Sequence, residues 1–73
     1  MEIEYGANVV DKNGNNLGTV DFVIHDSWTG ELKKFVVRRE APDNDLFLSP
    51  EHVAETAKGT VKMDLPAEQL EEL

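Results

Sequence analysis

Asp11-Lys12-Asn13-Gly14-Asn15-Asn16 places oxygen-bearing side chains at alternate positions, as a calcium loop does. Such a loop needs glycine at its sixth position and glutamate at its twelfth. Asn16 and Phe22 stand there, so the segment is not an EF-hand. Asp43-Asn44-Asp45 offers further carboxylates, but Asp and Asn are also common turn formers. His25 and His52 are the only histidines. Nothing in their spacing joins them, and a catalytic histidine needs both a nucleophile and an orienting group. The chain has no glycine-rich phosphate loop, no Gly-x-Ser-x-Gly elbow and no His-Glu-x-x-His pair. It has no cysteine, which excludes disulfides and thiolate metal sites. The expectation is a non-enzymatic protein with no catalytic residue, no cofactor and no metal.

Two other groups of residues suit binding. Lys33, Lys34, Arg38 and Arg39 form the one local basic concentration. A basic strand on a small barrel can hold RNA, given aromatic side chains for stacking. Against this, fifteen acidic and seven basic residues give a net charge of −8. A field of that sign repels phosphate backbones, which makes nucleic acid an unfavourable partner. Trp28 is the only tryptophan, and it sits in a turn segment. Tryptophan is enriched at binding hot spots, although a turn tryptophan can also fold back over a barrel end.

The elements that carry these residues read as strands between short turns. Asn13-Gly14, Asp26 to Gly30, Ala41 to Asp45 and Lys58-Gly59 are the turn signals. Strands are expected over 19–25, 35–39, 46–48 and 60–65, with Val9-Val10 a further apolar run. Val61, Met63 and Leu65 alternate onto one face. Strict alternation points Phe22, Ile24, Phe35, Val37, Leu46 and Leu48 inward, which leaves Val23, Val36 and Phe47 outward. Three outward apolar residues on neighbouring strands would make a contact patch. Ser49-Pro50-Glu51 predicts a helical turn over 49–53. Pro66 to Leu73 predicts a short C-terminal helix with Leu70 and Leu73 facing inward, and eight residues hold a helix only if it docks.

The ordered turns resemble a known family. Gly6-Ala7-Asn8-Val9-Val10-Asp11, Gly14 and Leu17-Gly18-Thr19-Val20 resemble the opening of a PRC-barrel domain. Val23, Asp26, Thr29-Gly30, Leu32, Phe35-Val36-Val37 and Leu48-Ser49-Pro50-Glu51-His52-Val53 extend the resemblance over nearly the whole chain. The family includes the cytoplasmic domain of the photosynthetic reaction-centre H subunit and the C-terminal domain of the ribosome-maturation factor RimM. The resemblance implies an all-β PRC-type β-barrel of five to six strands. It also implies a role in docking other proteins, often as a dimer.

Size sharpens that expectation. The chain has 73 residues, read as a single domain over 1–73. A core this small rarely yields more than ~3–5 kcal/mol, so self-association is an expected source of stability. The expected function is a protein-binding adaptor, homodimeric or bound to another protein. Its candidate interface is Val23, Val36, Phe47 and Trp28. An RNA- or ribosome-associated role through the basic strand 33–39 is the alternative. Met1-Glu2-Ile3-Glu4-Tyr5 has neither the basic nor the apolar region of a secretory leader, and no apolar run reaches membrane-span length. Cytoplasmic location without membrane insertion is therefore expected.

Overall fold

The computed structural model describes residues 3–73. Every expected turn joins two strands. β1 (Asn8–Val10) turns through Gly14 into β2 (Asn16–His25). β2 turns through Asp26 to Glu31 into β3 (Leu32–Arg38), and β3 turns through residues 39–45 into β4 (Leu46–Leu48). A 3-10 turn over Pro50–His52 follows, with Ser49 at its N-cap and Pro50 inside its start. Then come β5 (Val53–Ala57), β6 (Thr60–Met63) and a short helix, α1 (Ala67–Glu71). The strands form one six-stranded sheet in the order β4-β3-β2-β1-β6-β5, curled into a half-barrel. Neighbours run antiparallel except β1 and β6, which are parallel. The fold is a small, barrel-like, all-β one, and it leaves β4 and β5 as sheet edges. β5 was not anticipated as a strand, because Ala54-Glu55-Thr56-Ala57 lacks an apolar face and is solvent-exposed.

The inner side of the curl is filled by Val9, Leu17, Val20, Phe35, Val37, Leu46, Leu48, Val61 and Met63. Each large side chain fully buried there contributes about 1.5–3 kcal/mol. Gly18 lets β2 and β3 approach closely at one end of their pairing. Its φ is +145°, and a Cβ at that position would run into the carbonyl oxygen of Arg38.

α1 docks on this inner side, not on the outer one. Leu70 is buried in the core cluster, and the helix packs beside β4. Leu73, expected inward, is 67% exposed, because the helix ends at Glu71 and does not carry the chain another turn. Two polar ties fasten the helix. Arg39 Nη1 lies 3.4 Å from Glu71 Oε1. The amide of Ala67, one of the unpaired N–H groups of a helix start, donates to Asp11 Oδ2 at 3.0 Å. Pro66 holds the N-cap position and offers no side-chain cap, so Asp11 supplies it from across the chain.

Asp11 is the one buried charged residue among those described. Its Oδ1 accepts from the amides of Asn13 (2.9 Å) and Asn15 (2.7 Å), and its Oδ2 also accepts from Asn15 Nδ2 (3.1 Å). Burial pushes its pKa up, but these bonds and the one from Ala67 outweigh that and hold it below the usual carboxylate range. Donors fill both oxygens, so the loop that loosely follows a calcium pattern is a β-turn clasp tied to a helix.

Candidate functional site

The face opposite the core, across β2, β3 and β4, is built around a bulge. Val20 pairs with Val37, and the next paired position is Phe22 with Val36. Asp21 is therefore an extra residue on β2. One extra residue reverses which face every following side chain takes. Val20 and Val23 both turn inward, and Val23 packs against the core. Phe22 and Ile24 turn outward, 41% and 40% exposed. This corrects the strict alternation that sent Phe22 and Ile24 in and Val23 out. Val23 is accordingly no part of an exposed surface.

β3 and β4 keep the expected alternation. Phe35, Val37, Leu46 and Leu48 are buried in the core, and Phe47 is 60% exposed. The pairing then aligns Phe22, Val36 and Phe47 as one cross-strand row, with Val36 in the middle. Val36 lies on the outer face as expected, but it is buried there. It stands outside the core cluster, with an aromatic ring on the strand to either side. The row is thus a buried valine between two partly exposed aromatic rings, one on the strand to either side. Ile24, opposite Lys34, adds a further partly exposed apolar side chain on β2.

The four expected cations do not act as a unit. Alternation along β3 puts Lys34 and Arg38 on the outer face with Val36, while Lys33 falls at a second register break, between the pairs Ile24–Lys34 and His25–Leu32, and Arg39, past the end of the strand, reaches Glu71 of α1. Arg39 is bound by Asp43 (3.5 Å) as well as Glu71, and its backbone amide donates to Asp45. Asp43 and Asp45 are thereby engaged in the turn. Lys33 lies 3.9 Å from Asp26. Among the described residues Lys34 and Arg38 form no ion pair.

Trp28 is 94% exposed at the tip of the β2–β3 hairpin and does not fold back onto the barrel end. Its turn is firmly made. Asp26 Oδ1 accepts from the amides of Trp28 (2.7 Å) and Thr29 (3.0 Å). Those bonds, from Thr29 and then Trp28, lower the Asp26 pKa. The turn thus presents the indole on an ordered hairpin tip.

His25 ends β2, and His52 sits in the 3-10 turn with Nε2 3.8 Å from Glu51 Oε1. Among the described residues no group of three His, Asp or Glu side chains has metal-binding geometry. No helix among them is long and apolar enough to cross a membrane. No protein-family model matches the chain, and no curated protein matches it.

Proposed function

We propose that this chain is a non-enzymatic interaction module that docks a larger protein assembly through the outer row of β2, β3 and β4. The single observation behind this reading is the Phe22–Val36–Phe47 row, which the chain's own helix leaves uncovered because α1 docks on the opposite face. A half-buried antiparallel sheet normally turns polar residues to water. Aromatic residues in register across three strands are instead the makings of an interface core. The resemblance to PRC-barrel domains supports the same role. The homodimer expected from the small core would use the same row.

The alternative, RNA binding through strand 33–39, has weaker support. Only Lys34 and Arg38 share a face with aromatic rings, and two cations neutralise too few phosphates to offset a net charge of −8.

Phe47→Asp tests the proposal. Phe47 is largely exposed, so the variant should unfold within about 0.5 kcal/mol of the parent. Affinity capture from native lysate with the two baits should lose its specific partners with the variant. Equal recovery would send the contact surface elsewhere on the molecule.

A further inference from the structure

We infer that the occupant of the outer row is an acidic, amphipathic segment of another protein and not a second copy of this chain; the inference rests on the docking function proposed above. The argument is the charge around the row. Of the cations on β2, β3 and β4, Lys34 and Arg38 share the outer face while Lys33 lies beside Asp26, and Asp21 is the single acid of the three strands. Fourteen of the fifteen acids lie elsewhere in the chain. The acid excess could have neutralised Lys34 and Arg38 many times over, yet no carboxylate among the described residues reaches either one. Both share the face of Val36, one on each side of it along β3. The row therefore has exposed aromatic rings on β2 and β4, and a cation lies on each side of it along β3.

That arrangement fits an apolar anchor flanked by carboxylates. The anchor would pack across the exposed parts of the Phe22 and Phe47 rings, and the flanking acids would meet Lys34 and Arg38. Charges at the rim of an interface set partner choice and register more than raw affinity. A second copy fits poorly. A two-fold axis over Val36 and perpendicular to β3 would run β3 antiparallel to its copy and set Lys34 against Arg38 of the other copy, and one parallel to β3 would set Lys34 against Lys34 and Arg38 against Arg38. Like charges would then meet twice across an isologous contact, and both molecules would carry a net charge of −8.

The test is a titration of the isotope-labelled protein, followed by amide shifts, with two synthetic amphipathic helical peptides. One has leucine anchors and glutamate at its polar positions, and the other has lysine in place of every glutamate. The inference predicts that the glutamate peptide shifts the amides of Phe22, Val36 and Phe47, and that the lysine peptide does not. The double reversal Lys34→Glu, Arg38→Glu should weaken the glutamate peptide roughly tenfold and admit the lysine peptide. Equal response to both peptides would overturn the charge argument. So would a protein that sediments as a dimer in the absence of peptide and as a monomer with Phe47→Asp; the docking face would then stand with a second copy as its occupant. If oligouridylate moved the same amides and neither peptide did, the acidic-segment inference and the protein-docking function would both fall. A monomer that responds to no probe at the row would likewise remove both.

Discussion

The two faces of β2, β3 and β4 are made by the same twenty residues and meet opposite fates. On the inner face Val20, Val23, Phe35, Val37, Leu46 and Leu48 are covered by the curl of the sheet and by Leu70 of α1. On the outer face Phe22, Val36 and Phe47 line up just as well in register, and the rings of Phe22 and Phe47 stay exposed on either side of the buried Val36. The difference lies in what is fastened over each side. Asp11 and Arg39 tie α1 to the inner side through Ala67 and Glu71, whereas on the outer side Lys34 and Arg38 form no ion pair among the described residues. Apolar content alone does not make a core here; a polar clasp decides which apolar face is closed.

The largest effect that contrast predicts belongs to the inner face. Phe35→Ala removes a fully buried ring, which costs about 3–5 kcal/mol. That matches the whole yield of a core this size, so the variant should be unfolded by circular dichroism at room temperature. Phe22→Ala, on the outer face, should leave the protein folded. Similar losses at the two positions would erase the distinction between the faces.

The next effect is the clasp itself. The folded-state pKa of Asp11 is depressed. Its stabilisation is therefore complete above the unfolded carboxylate value of about 3.9 and is lost as pH falls through the lower folded value. Asp11→Asn should lower the melting temperature by several degrees at neutral pH. It should also flatten part of the decline below about pH 4, while Asp26, whose pKa is lowered too, keeps its own share. A parent and variant with parallel melting curves down to pH 2 would show that the clasp does not hold the helix.

Deletion of Asp21 should have a smaller effect and is the sharper test of the bulge. Removing the extra residue leaves Val20, Phe22 and Val23 pairing one-to-one with Val37, Val36 and Phe35, so no side chain changes face. The cost should stay within the ~1–3 kcal/mol of an ordinary destabilising change. If β2 alternated strictly instead, the deletion would invert Phe22, Val23 and Ile24 together and unfold the chain. The smallest effect belongs to Trp28→Ala. An indole this exposed contributes little to folding, and the melting curve should move by no more than about 0.5 kcal/mol.

These effects also mark what the sequence could and could not reveal. The turns were legible because Asn, Asp and Gly announce them locally, and Gly14 indeed takes a φ of +85°. Phe35, Val37, Leu46 and Leu48 were legible because β3 and β4 alternate without interruption. Phe47 was therefore placed correctly and Val36 on the correct face. Val23 was misplaced because a bulge is a property of two strands: Asp21 looks like any polar strand residue until β3 is laid beside it. Asp11 was missed as a helix cap for the same reason. Its partner amide is Ala67, 56 residues away, and no local pattern joins them. β5 escaped because an edge strand exposed on both faces carries no period. The local signals survived, and the features set by pairing did not.

The position of Phe22 decides between an open docking row and an ordinary polar sheet face. The chain has three phenylalanines, at 22, 35 and 47, so fluorine-labelled phenylalanine gives one resonance for each. A soluble paramagnetic probe should broaden the signals of Phe22 and Phe47 and leave Phe35 sharp. A Phe22 signal as protected as that of Phe35 would contradict the bulge, the row and the interaction surface built on them.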